Sequence, residues 1–531
     1  MISAERRLVP GEPGAGGYRG LLAADGEPHA TRDELSGGSQ RAGRRGAATP
    51  LLVLAHLSDV HLMDHQSPGR VEMLNRYSDH DSPLREVFGV LGTYRAQELF
   101  TFQVAEAMAA AVRAQRGGPV SGAPVEFAII TGDATDNSQL NELRACIDLL
   151  DGGEVTPDSG DPGQYEGVAG PQVSDEHYWH PGPVPDLPKE RFGFPELPGV
   201  LAAARRPFLA GGLALPWYSV HGNHDQHLQG AVLAQGWVRD FLAGQVKFVS
   251  PPPGLDAAGL VADFDQAGGD ALVALTAGAQ LQVTPDPARA PVSRAGFVRE
   301  HFTTAGGPAG HGYSERNLAD GTAYYAFDHG VVRCVVLDTV NSHGGWQGSL
   351  DEGQLRWLEA ELAASATRPV VLFSHHPLET LVNDLRPPGA SRRVLAAELR
   401  EVLLAHPCVV AWLNGHTHQH AIRAVTDPAG QGGFWQITTA SHIDWPQQAR
   451  IVEVLETGGG LAIACTVIDS AAPASYRGGE EPVGPASLAA LARELAANDW
   501  QVRDQISADG GAGAGTAPDR NVVLTIEWPR G

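Results

Sequence analysis

Five short clusters of metal-binding residue types follow one another along this chain of 531 residues. They are Asp59-Val60-His61, Gly132-Asp133, Gly222-Asn223-His224-Asp225, Ser374-His375-His376-Pro377 and Gly415-His416-Thr417-His418. Their side chains offer carboxylate or amide oxygens and imidazole nitrogens, a donor set that suits Mn, Fe, Zn or Co better than an ion that prefers thiolates. The donors suffice for two ions, and two adjacent ions are typical of sites that hydrolyse phosphate esters.

The spacing within the clusters fits this chemistry. Alternate residues of an extended chain point to the same side, so Asp59 and His61 can reach one ion together. The carboxylate of Asp133 has two oxygens and can bridge two cations, and the glycine before it allows a close approach of the backbone. In the last cluster the two histidines lie two residues apart, so one can serve each ion.

Each cluster follows a short apolar segment that is typical of a buried strand. The predicted strands span residues 51–57, 125–131, 216–220, 331–337, 370–373, 409–413, 434–439, 450–455, 462–468 and 522–528. The predicted helices span residues 98–116, 140–150, 351–362, 394–404 and 488–497. This order predicts an α/β fold with packed sheets and helices outside them. Because α/β folds place their sites beyond the carboxyl ends of strands, we expect the five clusters to converge.

The remaining segments suggest how the chain is organised. Residues 1–49 are rich in Gly, Arg and Glu and are predicted to form an irregular N-terminal arm. A main domain over residues 50–470 is interrupted by two insertions, at about 152–212 and 226–320, and residues 471–531 form a C-terminal extension. Long loops of this kind often act as lids or binding loops, so we expect both insertions to wall the cleft. Simple surface decoration is the alternative.

Composition limits the partners. The chain has 38 Lys and Arg against 62 Asp and Glu, a formal charge of −24, which disfavours nucleic acid or an anionic membrane. No apolar run approaches the ~20 residues of a membrane helix.

The four cysteines are far apart and are predicted to be buried free thiols, which suits a reducing compartment. The apolar run 51–55 is too short for a signal core, so a cytoplasmic location is predicted. The oligomeric state stays open.

Taken together, the clusters resemble the motifs of the calcineurin-like metallophosphoesterases, over roughly residues 51–470. The resemblance implies a four-layer α/β/β/α sandwich with a dinuclear site at the loop ends of its sheets. It implies that one ion is held by Asp59, His61, Asp133 and His418, and the other by Asp133, Asn223, His375 and His416. His224 matches a family histidine that stands near the substrate phosphate without binding metal.

Some residues depart from the patterns of particular branches of this family, and these departures indicate which branch the sequence resembles most. The third residue after Asp133 is Asp136, so the tyrosinate ligand of purple acid phosphatases is missing. The third cluster ends in Asp225 where Ser/Thr protein phosphatases have glutamate. The pattern is most similar to bacterial cyclic-nucleotide and glycerophosphodiester phosphodiesterases, although those compact enzymes lack the long insertions.

The function predicted from these residues is a metal-dependent phosphoric ester hydrolase, specifically a phosphodiesterase acting on a small soluble substrate. A hydroxide held between the two divalent ions would attack phosphorus. His224 would stabilise the phosphoryl oxygens and could protonate the leaving oxygen. Asp136, Asp225 and His376 are predicted to orient other site residues, with turn capping an equal alternative for the two aspartates.

Two other functions stay open on sequence grounds. A phosphomonoesterase could use the same ligands, and a non-catalytic metal-binding scaffold could retain the fold. The identity of the ions is also open among Mn, Fe, Zn and Co. The segment Ser441-His442-Ile443-Asp444-Trp445 follows a predicted strand and could bring His442 or Trp445 to the cleft rim, or form a buried polar turn.

Overall fold

Two large β-sheets carry the five clusters in this computed structural model, which describes residues 2–36, 48–89, 91–260, 268–427, 432–476 and 484–528. Among these residues the first sheet has seven strands. Their order across the sheet is Ala30–Leu35, Val522–Ile526, Gly460–Asp469, Gln448–Thr457, Thr49–Leu57, Phe127–Ile130 and Trp217–Ser219. The last three strands are mutually parallel, so their carboxyl ends lie at one edge.

The second sheet has six strands within the described residues. Their order is Tyr325–His329, Val332–Val336, Val370–Phe373, Val409–Asn414, Gly433–Thr438 and Ala421–Thr426. The four inner strands are parallel, and the two outer ones pair antiparallel to them. The strands that precede the fourth and fifth clusters are therefore neighbours and end at the same edge of this sheet.

Helices and small two-stranded sheets complete the described structure. The α-helices are Arg85–Phe88, Thr101–Ala114, Leu140–Asp151, Leu187–Phe192, Val200–Ala204, Trp237–Leu242, Arg294–Glu300, Glu315–Asp320, Glu352–Ala364, Ala396–Leu404, Pro485–Ala497 and Ala517–Arg520. The small sheets pair Arg6–Pro10 with Leu21–Asp25, Glu154–Val155 with Phe208–Leu209, His227–Leu228 with Val232–Leu233, Val246–Ser250 with Ala279–Gln282, and Leu350–Asp351 with Arg393–Val394. None of the described helices is both long and apolar enough to cross a membrane.

The buried core joins the two sheets. Its largest cluster contains Val53 and Ile129 of the first sheet together with Phe373 and Leu413 of the second. On the second sheet, Leu372 points instead into another apolar cluster formed with the helices Glu352–Ala364 and Ala396–Leu404. Since successive side chains of a strand face opposite sides, this sheet buries both of its faces, which accounts for its continuous apolar runs.

The prediction of an α/β fold is confirmed, and so are most of the predicted elements. The strand Val370–Phe373 has the bounds predicted, and the other predicted strands and helices are shifted by a few residues at their ends. All four cysteines are buried and free, as predicted.

The prediction of an irregular arm over residues 1–49 is wrong for the part of this segment that the structure describes. Arg6–Pro10 and Leu21–Asp25 form a two-stranded sheet, and Ala30–Leu35 joins the first large sheet in parallel with Val522–Ile526. The sequence of this last strand, ATRDEL, is polar, and most of its side chains are exposed or half-buried. Its partner lies at the far end of the chain, so no local pattern marks it as a strand. Residues 37–47 lie outside the described residues.

The two insertions pack in different places. Val168 and Trp179 of the first insertion share an apolar cluster with Leu491 of the C-terminal helix Pro485–Ala497. The second insertion has a cluster of its own, in which Leu242 packs with residues of the loop after the first ligand cluster. Its beginning touches the candidate site through residues 229–231, described below. That both insertions wall the cleft stays a prediction.

Candidate metal centre

The structure brings all five clusters together at the carboxyl ends of their strands. The loops that carry them follow directly after Thr49–Leu57, Phe127–Ile130, Trp217–Ser219, Val370–Phe373 and Val409–Asn414. Backbone hydrogen bonds link the loops to one another: the amide of His61 donates to the carbonyl of Asp133 at 2.9 Å, and that of Gly415 to the carbonyl of His375 at 3.0 Å. The convergence predicted from the sequence is thus observed.

Five of the predicted ligands have left-handed backbone conformations. The positive φ angles belong to Asp59 (50°), His61 (45°), Asp133 (51°), His416 (66°) and His418 (54°). Residues with a side chain adopt this region at a cost of about 1–2 kcal/mol each, so the surrounding structure must hold them there. Strained backbone is concentrated at functional sites. Here it directs side chains toward one another that an unstrained strand end would hold apart.

Two glycines allow the ligand loops to approach one another closely. A Cβ atom on Gly222 would overlap the backbone nitrogen and the carboxylate of Asp133. A Cβ atom on Gly415 would overlap the hydroxyl of Ser58 and the carboxylate of Asp59. The glycines of the clusters are therefore required by contact between loops.

A first donor group contains Asp59, His61 and His418, whose donor atoms all lie within 4.8 Å of one another. The Nε2 atoms of the two histidines are 3.2 Å apart. Nε2 of His418 lies 3.4 Å from Oδ1 of Asp59, and Nε2 of His61 lies 3.7 Å from Oδ2 of Asp133. Asp59 and Asp133 are fully buried. These four residues are the set that the resemblance assigns to one ion.

A second donor group also approaches Asp133, at the same carboxylate oxygen as His61. Nε2 of His375 is 3.1 Å from Oδ2 of Asp133 and 3.1 Å from Nδ1 of His416. Asn223 donates from Nδ2 to the carbonyl of Gly230 at 3.0 Å, which leaves its buried Oδ1 without a hydrogen-bond partner. An unpaired buried carbonyl oxygen is costly unless a cation or donor reaches it. These residues are the set that the resemblance assigns to the second ion.

In two of the histidines, His375 and His418, the ring nitrogen that points away from the other donors has a hydrogen-bond acceptor, which favours a cation between the donors. Nδ1 of His375 lies 2.9 Å from the carbonyl of Thr131, and Nδ1 of His418 lies 2.6 Å from Oδ2 of Asp444. Both partners only accept, so each Nδ1 carries the hydrogen and each neutral ring turns the lone pair of Nε2 inward. Inward lone pairs that face one another and a carboxylate require a shared positive charge, and metal-binding histidines are oriented in this way.

The electrostatics of the group agree with this requirement. Burial disfavours a charged imidazole, but the carboxylates of Asp133 and Asp59 outweigh it and raise the pKa of His375 to about 9. Asp444 and Asp59 likewise raise the pKa of His418 to about 10 against the effect of burial. Burial favours the neutral form of Asp133, yet the surrounding histidines hold its pKa well below the usual range. Protons supply the positive charge here when no metal does.

His224 stands at the opening of the centre with 21% of its side chain exposed. Its Nδ1 lies 2.7 Å from the backbone carbonyl of Asp136 and therefore carries a hydrogen, so Nε2 is left for another partner. The ring packs edge-on against His61, with centroids 4.6 Å apart. The backbone amide of His224 donates to Oδ1 of Asp133 at 2.8 Å, which ties this residue to the carboxylate that both donor groups approach.

The three residues predicted to orient other site residues lie behind the centre. The carboxylate of Asp136 lies 3.3 Å from Nδ1 of His61. Asp225 accepts from the backbone amides of Gly222 and Thr135, at 2.9 and 3.0 Å, and so joins two ligand loops. Nδ1 of His376 lies 2.8 Å from the Thr339 hydroxyl and Nε2 lies 3.0 Å from the carbonyl of Trp346, so both nitrogens have partners, although one of them lies within 4.8 Å of donor atoms of His375 and His416.

Sequence reasoning missed Asp444 as a partner of the centre. Besides its contact with His418, Asp444 pairs with Arg95, whose Nε lies 2.5 Å from Oδ1. The neighbouring His442 is buried, and its amide donates to the carbonyl of Asp59 at 3.0 Å. The segment 441–445 thus forms a buried polar turn behind the ligands, the alternative that the sequence left open. The signal that points to it is an acidic residue in the turn after the strand Gly433–Thr438, the neighbour of the strand that carries the last cluster.

Comparison with known proteins adds little to this picture. No family model matches the chain, and no curated protein matches it. Among solved structures, the crystal structure of a dimetal phosphatase from Danio rerio aligns with 79% of this chain and 100% of its own, at 13% sequence identity and a TM-score of 0.34. A TM-score of this size does not establish a shared fold, so the function must be inferred from the centre itself.

Proposed function

We propose that this protein is a dinuclear metal-dependent phosphoric ester hydrolase, and that it acts as a phosphodiesterase on a small soluble substrate. One observation carries the proposal: two groups of donors meet at Asp133, whose Oδ2 lies 3.7 Å from Nε2 of His61 and 3.1 Å from Nε2 of His375. The outer nitrogens of His375 and His418 are held by acceptors, so the inner nitrogens of these two rings face the donors. Nitrogen and oxygen donors in this number suit Mn, Fe, Zn or Co. Asp59, His61 and His418 would hold one ion, and Asn223, His375 and His416 the other.

The protein's own residues would position the ester and move a proton. Two bound ions supply Lewis-acid polarisation of the phosphoryl oxygens and a nucleophile at neutral pH. His224 is fixed by the contact of Nδ1 with the carbonyl of Asp136, and its free Nε2 is the nitrogen left for the substrate at the opening. Protonated at Nε2, it can stabilise a phosphoryl oxygen or give its proton to the leaving oxygen.

The charges beside the centre support a diester in preference to a monoester. Arg70 and Arg95, the arginines that contact residues of the centre, are both paired with carboxylates: Arg70 with Asp136 at 2.6 Å and Arg95 with Asp444 at 2.5 Å. A monoester dianion carries one more negative charge than a diester and would need a further cation. The formal charge of −24 adds to that penalty.

The fold proposed with this function is the four-layer α/β/β/α sandwich of the calcineurin-like metallophosphoesterases. The arrangement of two sheets around a joint core, with helices on the outer face of the second, supports this assignment. Within that family, the proposal extends to the bacterial phosphodiesterase type and to a cytoplasmic location.

The test is hydrolysis of bis(p-nitrophenyl) phosphate and p-nitrophenyl phosphate by the full chain after metal stripping and addition of Mn²⁺. We expect diester turnover that requires Mn²⁺, two Mn²⁺ per chain by elemental analysis, and a large loss in Asn223→Ala. Asn317→Ala is the matched control, because Asn317 is a buried asparagine that caps the helix Glu315–Asp320. It should keep the turnover of the folded protein.

Other outcomes would contradict part or all of the proposal. Turnover of the monoester alone would replace the phosphodiesterase with a phosphatase on the same ligands. Turnover that survives Asn223→Ala and chelation would reject the metal centre. Binding of two Mn²⁺ with no turnover of either compound would leave a metal-binding scaffold.

A further inference from the structure

An exposed tryptophan lies beside the second donor group. Trp346 has 52% of its surface exposed, and among the described residues it is the only exposed large aromatic side chain. Its indole is nearly parallel to the imidazole of His416, with centroids 5.8 Å apart and planes inclined by 23°. An indole in water gives up the free energy of burial, and this one does so beside the candidate metal donors, where a bound ester could cover it.

The loop that carries this indole is held firmly. Nε2 of His376 lies 3.0 Å from the carbonyl of Trp346. Asn383 donates from Nδ2 to the carbonyls of Gly344 and Gln347, at 2.8 and 2.9 Å, and so clasps the loop on either side of the tryptophan. A backbone hydrogen bond of 2.9 Å also joins Gly345 to Ala231 in the second insertion.

All of these contacts are made to the backbone of the loop. They therefore fix the position of the indole without covering its ring. Asn383 and His376 are buried, and neither of them bonds to the ring. A rigid aromatic surface binds with little loss of side-chain entropy, which makes tryptophan a frequent anchor in binding sites. The geometry is that of a preformed surface whose exposed face is free for another planar group.

We propose that Trp346 is a specificity-determining residue, and that its indole stacks on a planar aromatic ring carried by the phosphate ester. The proposal rests on the proposed function, since it takes the phosphoryl group to bind between the donor groups and His224. Stacked rings have centroids about 4.5–7 Å apart, so a ring on that phosphoryl group can lie over the indole. Esters with aliphatic groups alone would lack this contact.

Binding of two non-hydrolysable analogues tests the proposal without relying on turnover. Phenylphosphonate and methylphosphonate share the phosphonate group and differ in the ring, and calorimetry with the Mn²⁺-loaded full chain gives both dissociation constants. We expect tighter binding of phenylphosphonate by wild type. Trp346→Ala should weaken phenylphosphonate about 10-fold and leave methylphosphonate unchanged, the effect typical of one lost aromatic stack.

Two further variants separate stacking from other effects. Trp346→Phe keeps a ring and should recover most of the affinity for phenylphosphonate. Val331→Ala removes an exposed apolar side chain from the turn before the strand Val332–Val336, at the end of the sheet opposite the centre, and should change neither affinity.

Failure of this proposal can be told from failure of the proposed function. Equal affinities of wild type for the two phosphonates, or equal losses for both in Trp346→Ala, would overturn the stacking role even if bis(p-nitrophenyl) phosphate is still hydrolysed. If the wild-type chain neither hydrolyses that diester nor binds either phosphonate with Mn²⁺ present, the proposed function fails, and the stacking role falls with it.

Discussion

Two neighbouring regions of the interior contain buried carboxylates but balance them differently. Around Arg70, which is fully buried, the guanidinium lies 2.6 Å from Asp136 and 2.5 Å from Glu98. Lys247 pairs with Glu72 at 2.8 Å in the same region. Each carboxylate of this Arg70 cluster thus lies beside one of the protein's own cations, although burial still raises the pKa of Glu98 to about 8. The two regions meet at Asp136.

The metal centre has no such balance. Asp59 and Asp133 are equally buried, but within the described residues no lysine or arginine pairs with either; histidines surround them, and two of these, His375 and His418, have an acceptor at the outer nitrogen. Burying a charge is costly unless it is paired and hydrogen-bonded. A buried carboxylate that pairs with a lysine or arginine of the protein therefore indicates a structural role. One whose ionisable neighbours are histidines indicates a site for a cation from outside.

The largest expected effect comes from Asp133→Asn, which removes the carboxylate shared by both donor groups. We expect kcat/KM for bis(p-nitrophenyl) phosphate to fall at least about a thousand-fold, because metal-based charge stabilisation worth several kcal/mol is lost. Mn²⁺ should stabilise wild type against unfolding and leave the variant unchanged, because the variant lacks the carboxylate that both donor groups share. Chemical unfolding with and without Mn²⁺ measures this.

A matched control for that variant is Asp186→Asn. Asp186 is also buried, but it pairs with Lys189 at 3.2 Å and caps the helix Leu187–Phe192. This change should cost stability and leave turnover and the response to Mn²⁺ intact. An Asp133→Asn protein that Mn²⁺ still stabilises as it does wild type would contradict the comparison.

At the Arg70 cluster the expected loss is one of stability, and it does not depend on metal. Arg70→Met leaves Glu98 and Asp136 buried without their cation, and breaking a buried pair in this way costs about 3–5 kcal/mol in the free energy of unfolding. Urea unfolding in the absence of metal measures the loss, and Arg316→Met is the control because its partner Asp320 and the arginine itself are both exposed. A loss in Arg70→Met no larger than in this control would show that the cluster is not held by its charges.

A smaller effect is expected at Asp444, a carboxylate that contacts both an arginine, Arg95, and a histidine of the candidate centre, His418. Asp444→Asn weakens the acceptor that orients His418, and losses of this kind reduce metal affinity about 10–100-fold. Calorimetric titration of the stripped protein with Mn²⁺ measures it. Asp175→Asn is the matched control, because Asp175 contacts His177 at 3.0 Å and Arg76 at 2.6 Å in the same manner. Equal Mn²⁺ affinities in the two variants would argue against a role for Asp444 at the centre.

The parts of the molecule that could be predicted from the sequence are those with a local signal. The strand Thr49–Leu57 is a continuous apolar run, and Asp59 and His61 follow it within four residues. Buried parallel strands and polar residues at their ends are each visible in one short window. The same holds for helices with an apolar face, such as Leu140–Asp151.

The rest depends on contacts between distant residues. The sequence spacing does not predict that Asp444 lies 2.6 Å from His418, because the two residues belong to different loops. The positive φ angles of the ligands are likewise invisible, since aspartate and histidine at a strand end do not by themselves specify a left-handed backbone. The Arg70 cluster was missed for the same reason: its members come from four separate segments.

The strand Ala30–Leu35 has a consequence for the order in which the molecule is assembled. Its neighbour in the sheet is Val522–Ile526, and this strand in turn pairs with Gly460–Asp469. During synthesis, residues 30–35 leave the ribosome long before the strand they pair with has been made. Pairings of such high sequence separation form late and slowly, because the loop between the partners must be closed first. The edge of the first sheet is therefore completed only after the ligand loops can already have met.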